Sequence, residues 1–185
     1  MLKKFKGENT PAIAIVVYGN RDYDDALLEL TDILKANGFV TVAAAAFIAQ
    51  HSIFPIVASG RPDQKDKQII ESFSKKCEKA FTDFSGQEKV DVKGNFPYKK
   101  PMAVPLRPTG DDKCNSCGIC VKICPTKAIA TQTPQNTDKS RCIACAACIA
   151  TCPQNARAFR GIMNTIAGKA FALMTRSRKE PDIFF

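Results

Sequence analysis

Eight of the nine cysteines lie between Cys114 and Cys152, and their spacing is that of metal ligands. Cys114, Cys117, Cys120 and Cys124 are followed, 28 residues on, by Cys142, Cys145, Cys148 and Cys152. In both runs the last cysteine precedes a proline, Pro125 and Pro153. Each run therefore reads C-x2-C-x2-C-x3-C-P, the spacing with which thiolates hold iron–sulfur clusters. Three cysteines two residues apart let one short loop reach three corners of a four-iron cube, and the fourth corner must be reached from elsewhere. In the two-cluster form of the pattern the fourth cysteine of each run serves the other cluster. That assigns Cys114, Cys117, Cys120 and Cys152 to cluster 1, and Cys142, Cys145, Cys148 and Cys124 to cluster 2.

The neighbours suit that chemistry. Gly118, Ala144, Ala146 and Ala147 are small enough to let the backbone close on a cube, so that amide N–H groups can point at sulfur. No charged side chain lies inside either C-x2-C-x2-C loop. Such an apolar shell penalises the extra negative charge of a reduced cluster, and N–H to sulfur bonds partly oppose that penalty. Four-cysteine zinc sites separate their C-x2-C pairs widely and do not set three cysteines at successive x2 spacing. A disulfide framework explains neither the repeat nor the prolines. It also suits a secreted chain, and residues 1–30 hold no apolar segment with a cleavage site. A cytoplasmic location is expected.

The formal charge of +9 counts every cysteine as neutral. Eight ligating thiolates remove eight charges and two oxidised four-iron cores return about two each, leaving about +5. The basic residues are scattered, as in Lys3-Lys4, Lys75-Lys76, Lys99-Lys100 and the stretch Arg176 to Lys179. They read as solvated faces, and no nucleic-acid partner is expected. A docking surface for acidic redox partners is the alternative.

The elements around the cysteines follow from hydrophobic pattern. Residues 12–18 (AIAIVVY) and 39–49 (FVTVAAAAFIA) are continuous apolar runs that suit buried strands. Between them Tyr23, Leu27, Leu30 and Leu34 recur at helical spacing, with Asp22 to Asp25 at the start and Asn37-Gly38 as the stop. A strand, a helix and a strand in this order predict a parallel pair. Arg61-Pro62-Asp63 opens a second helix over 61–84, with Pro62 in its first turn and Ile70, Phe73, Cys77, Phe81 and Phe84 on one face. Cys77, apart from the repeat, is expected to be a buried small hydrophobe. His51 is assigned no role. The apolar stretch 39–58 is broken by Gln50, His51, Ser52 and Pro55, and is too short for the roughly 20 residues of a membrane span.

Four segments result: residues 1–85 as an α/β domain, 86–110 as a linker, 111–160 as the cysteine domain, and 161–185 as a helix and tail. The linker is rich in Pro, Gly and Lys, with Pro97, Pro101, Pro105 and Pro108 extending it. In the tail Ile183, Phe184 and Phe185 are expected to dock on the body of the protein.

Two resemblances add to this. Residues 111–157 resemble a bacterial-type ferredoxin with two [4Fe-4S] clusters, a family that carries single electrons between enzymes. The stretch AIAIVVYGNRDYDDALLELTDILKANGFVTVAAAAFIAQHS resembles the last two strands of a flavodoxin-like domain. With GRPDQKDKQII, the PYKKP linker and the ending RKEPDIFF, the chain is similar to microbial fusions of a flavodoxin-like domain with a two-cluster ferredoxin. The fold class this implies is a partial flavodoxin-like βαβα unit followed by an α+β bacterial two-cluster ferredoxin domain. The likeness puts Tyr18, Gly19, Asn20 and Tyr23 where flavodoxins place a loop beside the flavin ring. Those domains also begin with a strand and a Ser/Thr/Gly-rich loop that cradles the FMN phosphate, and nothing before Ala12 offers one. FMN is therefore not expected on this chain alone, and the bland reading of the four residues is a turn. Two buried strands with too few elements to cover them point to a truncated gene product or, alternatively, a homodimer through that surface.

The expected function is one-electron transfer through two [4Fe-4S] clusters, with no catalytic residues, between redox partner proteins. Two alternatives stand beside it. The chain could be the electron-wiring portion of a flavin-dependent oxidoreductase, or a redox-sensing regulator. The first would need a complete flavin site, a Gly-rich dinucleotide loop or a catalytic triad, and the sequence offers none.

Overall fold

A computed structural model of the chain describes residues 4–86, 90–100 and 104–185. The elements run β1 (Thr10–Tyr18), α1 (Ala26–Ala36), β2 (Phe39–Ile48), α2 (Gln64–Thr82), β3 (Pro108–Gly110), α3 (Ile119–Ile123), α4 (Ala147–Ala150), β4 (Arg157–Phe159), α5 (Ile162–Met174) and β5 (Asp182–Phe184). The architecture is mixed α/β. The described residues fall into two compact units, residues 4–51, 55–100 and 175–185 in the first and 52–54 and 104–174 in the second. No described helix is long and apolar enough to cross a membrane.

The first unit is a three-stranded sheet in the order β1-β2-β5. β1 and β2 pair in parallel, from Thr10 opposite Phe39 to Tyr18 opposite Ile48, with one register shift after Ala12. The central strand is covered on both faces, which is why it reads as an unbroken apolar run. Ala43, Ala45 and Phe47 meet Phe73 and Cys77 of α2 on one face. Ala44 and Ala14 meet Leu27 of α1 on the other, with Tyr23, Leu30 and Leu34 packed beside them. A run of alanines lets both helices lie close to the strand. Cys77 is buried in this core, and burial pushes its thiol up. Along α2, Phe81 is exposed and lies outside the buried stripe.

The starts of the two helices are held by different chemistry, and the second lies later than expected. Asp25 is the N-cap residue of α1, yet its side chain makes no cap bond. Its carboxylate accepts from the backbone N–H groups of Asn95 and Lys99, both at 2.7 Å, and these bonds hold it below the usual carboxylate range. α2 starts at Gln64, so Pro62 precedes the cap and is not in the first turn. Asp63 and Asp66 form a reciprocal capping box there. At the end of α1, Gly38 has φ +85°, and a Cβ there would come within 2.0 Å of the Gly7 carbonyl oxygen. Only glycine closes this turn.

Residues 90–100, part of the stretch expected to be a linker, hold no helix or strand but pack on the first unit. Val90 and Val92 join the α1 side of its core, and Tyr98 donates to Asp32 at 2.6 Å. Residues 87–89 and 101–103 of that stretch, Pro101 among them, lie outside the described residues. The tail adds the third strand. β5 pairs antiparallel with β2, with Ile183 opposite Ala45 and Phe184 opposite Ala44, and the Phe185 ring lies 5.5 Å from that of Phe73.

One buried ion pair fastens the tail to α2. Arg61 donates through Nε to Asp66 at 2.8 Å, through Nη2 to the same carboxylate, and through Nη1 to the Lys179 carbonyl at 2.6 Å. Arg178 bridges Asp63 and Asp66. The Arg61 guanidinium holds Asp66 below the usual carboxylate range. Folding thus lowers the proton affinity of Asp66, so its stabilisation is complete above about pH 4 and is lost as pH falls through the folded value. Asp66→Asn leaves Arg61 buried without a counter-charge and should cost about 3–5 kcal/mol at neutral pH. Urea unfolding followed by circular dichroism should show that loss at pH 7 and a narrower gap from wild type at pH 3.

Candidate iron–sulfur centre

The second unit repeats itself in three dimensions. α3 and α4 occupy equivalent places in the two cysteine runs, each one short turn of helix carrying the third cysteine. Cys120 and Cys148 are buried, Cys117 and Cys145 exposed, and Cys114, Cys124, Cys142 and Cys152 intermediate. All nine cysteines of the chain are unbridged. The three-residue strands β3 and β4 pair antiparallel, Pro108 opposite Phe159 and Gly110 opposite Arg157.

Backbone conformation repeats as well. Positive φ occurs at Ser116, Gly118 and Lys127 in the first run and at Ala144, Ala146 and Asn155 in the second. Each of these pairs is separated by the repeat length. The left-handed conformation costs a residue with a Cβ about 1–2 kcal/mol, so five such non-glycine positions mark a loop shape imposed by what it encloses. That shape turns amides toward sulfur. Ala144 N–H donates to Cys142 Sγ at 3.4 Å. Ala128 N–H donates to Cys124 Sγ at 3.2 Å, and its counterpart Ala156 N–H donates to Cys152 Sγ at 3.3 Å.

The thiols respond to these surroundings. Burial pushes Cys120 and Cys148 up. Burial is the largest single influence on Cys124 and Cys152 and acts upward, but the hydrogen bonds around each sulfur, with the Ala128 and Ala156 amides foremost among them, together outweigh it, and both thiols end below the ordinary value. The fourth cysteine of each run is thus readied as thiolate, the form that binds metal.

Two cavities gather the sulfurs. Cys114, Cys117, Cys120 and Cys152 line one, with Pro153 and Arg157. Cys124, Cys142, Cys145 and Cys148 line the other, with Pro108, Ile129 and Thr137. Each cavity takes three cysteines from one run and the last cysteine of the other. Among the described residues, no three His, Cys, Asp or Glu side chains converge closely enough to grip a single metal ion. Each cavity is lined by four sulfurs, the number of thiolates that a four-iron core takes.

Arg157 was not among the expected site residues. It is 3% exposed and its guanidinium donates to the carbonyls of Pro134 and Pro108 and to the Thr137 hydroxyl. Its partners are uncharged, and its buried Nε–H finds no acceptor in the structure. A buried cation without a counter-charge is costly. The net negative charge of a thiolate-bound iron–sulfur core beside it supplies one, so the donor set and this cation fit such a group. A sequence signal existed: at the repeat length from Arg157 stands Ile129, a buried residue at 4% exposure.

The four residues offered by the flavodoxin resemblance are divided. Tyr18 and Tyr23 meet edge-on with ring centres 5.3 Å apart and line a cavity of about 920 Å³ in the first unit. Tyr23 donates to Asp182 at 2.8 Å, and burial followed by that bond pushes its hydroxyl well above the ordinary value. Gly19 and Asn20 do not line it. A Cβ on Gly19 would strike the His51 ring. The Asn20 amide donates to the carbonyls of Thr175 and Ser177, both at 2.8 Å, and its oxygen accepts from Lys179 N–H. The lining holds Asp22, Asp24, Asp25, Glu180 and Asp182 against Lys93, Lys99 and Lys179. That charge balance opposes a phosphate dianion in this cavity.

Backbone strain gives a direct check on the cysteine loops. Ala146→Gly removes a Cβ from a left-handed position and should make release of iron to a chelator slower than in wild type. Gly118→Val places a β-branched residue at φ +76° and should make it faster by about tenfold, for a strain near 1–2 kcal/mol. The loss of the visible charge-transfer absorbance measures both rates.

No curated protein matches the chain. The sequence profile of the 4Fe-4S dicluster domain family matches residues 113–157, the span that holds all eight cysteines of the repeat. This part of the chain is a ferredoxin-type iron–sulfur domain with a role in electron transfer.

Proposed function

We propose that the chain is a one-electron carrier holding two [4Fe-4S] clusters, one on Cys114, Cys117, Cys120 and Cys152 and the other on Cys142, Cys145, Cys148 and Cys124. The observation that carries this reading is the composition of the two cavities, each completed by a cysteine from the opposite run. Such clusters, when bound, supply one-electron chemistry between a 2+ and a 1+ core. The protein's share is to hold and shield. Its loops give amide donors to sulfur, and with four protein ligands per cluster no corner remains for substrate. The exposed Cys117 and Cys145 are the thiolates nearest to solvent, and a donor or acceptor would dock over them. We assign the carrier to the cytoplasm, where unbridged thiols persist.

We propose further that the first unit is the C-terminal part of a flavodoxin-like sheet. The parallel pair joined by α1 supports this. So does the edge of β1, which pairs with no other strand among the described residues and along which Ile15 and Val17 are exposed.

Protein purified without oxygen should contain roughly eight iron atoms, from two four-iron clusters, and give EPR signals on reduction with dithionite. The crossing is tested with three variants. Cys120→Ser and Cys152→Ser should disturb the same cluster signal although they lie in different runs, while Cys124→Ser disturbs the other. Were Cys152→Ser to affect the same signal as Cys145→Ser, each run would hold its own cluster and the assignment would be wrong.

A further inference from the structure

Arg157 is tied to both cysteine cavities, to one as a lining residue and to the other through its hydrogen-bond partners. It lines the cavity of Cys114, Cys117, Cys120 and Cys152. Its Nη2 donates to the Pro108 carbonyl at 3.0 Å and to the Thr137 hydroxyl, and Pro108 and Thr137 both line the other cavity. Its Nη1 donates to the Pro134 carbonyl, the same oxygen that faces Cys120 Sγ at 3.9 Å. One guanidinium therefore bonds residues that line both cavities.

The repeat shows that the fold does not need a charge at this place. Ile129 holds the equivalent position in the other half, buried to the same degree. Packing is served by isoleucine there, so the arginine answers to something other than packing. Its three side-chain bonds leave Nε–H buried without an acceptor, and no carboxylate is among its partners. A thiolate-bound cluster in the cavity that Arg157 lines would supply the missing negative charge.

We propose that Arg157 is the shared counter-ion of the two clusters, and that its charge raises the reduction potential of both. The inference rests on the two-cluster reading above. Each added electron makes a cluster more negative. A fixed positive charge in a medium of low dielectric constant stabilises the reduced form more than the oxidised one. It also weakens the repulsion between two reduced clusters. Arg157 is a positioning residue in this role, since it neither binds iron nor exchanges electrons.

The test uses the full chain, purified without oxygen, with iron and sulfide content and EPR signals determined before any potential. Arg157→Ile borrows the side chain of the repeat, and Arg157→Gln keeps polar contacts without charge. In either variant with wild-type iron content, electron uptake at both clusters should become at least about tenfold less favourable, a fall of about 59 mV for a one-electron couple. Arg157→Lys keeps the charge and should stay closer to wild type than either. A merely structural arginine would instead give variants of lower stability with unchanged potentials, and that result overturns the proposal, as does a shift at one cluster only. Should neither neutral variant retain iron, the wild-type protein still decides. With 15N in the arginine side chains alone, pulsed EPR of the reduced protein should show a coupled nitrogen that Arg157→Lys removes, and no coupling in wild type refutes the role. If wild-type protein carries no reducible clusters at all, the two-cluster reading itself fails, which is a different result from unchanged potentials.

Discussion

Sulfur at the centre of a small unit is the condition on which the second half of this protein depends. Its buried cluster of side chains consists of Cys120, Cys148 and Ile129, with Val121, Cys124 and Ile149 around them. That is little hydrocarbon for a unit of this size, and two of its three buried members are thiols. Small domains of this kind need a staple. Iron serves as one when ligands come from distant points in the chain, because binding and folding then become one event. The left-handed residues of both loops, the amides aimed at Cys124 and Cys152, and the orphan Nε–H of Arg157 are costs in isolation. They become favourable together once anionic sulfur on iron occupies the space they surround.

The first unit is built on the opposite principle. There an alanine-rich strand is pressed between two amphipathic helices, and the polar chemistry sits at the ends of elements. Arg61, Asp66, Asp63 and Arg178 tie the start of α2 to the tail. Asp25 anchors the chain at residues 95–99. Both anchors use a carboxylate close to a helix start to hold a distant segment, which lets irregular chain lie on the sheet without buried amides going unpaired.

Much of this was legible in the residues. The apolar runs fixed β1 and β2, helical periodicity fixed α1 and α2, and the apolar ending Ile183 to Phe185 announced a docked tail. The cysteine spacing carried the iron–sulfur chemistry. Hydrophobic pattern could not give β3, β4, α3 and α4, because three to five residues are shorter than any period and their form is dictated by the loops they close. The stretch 90–100 was hidden by Gly94 and Pro97, although the alternation of Val90 and Val92 was a strand-like signal of one buried side. Arg157 was hidden because a lone arginine ordinarily reads as a solvated cation. Aligning the two runs on their cysteines, and asking which position changes from apolar to charged, would have revealed it.

The order of elements along the chain has a consequence for how the protein is made. β5 belongs to the sheet of the first unit, yet it follows every cysteine of the repeat in sequence. A ribosome therefore releases β1, β2 and all the thiols before the sheet can receive its final strand. The thiols of the repeat thus emerge before the sheet is complete. A nascent chain that halts short of Asp182 leaves one side of β2 open to whatever else in the cell can form a strand.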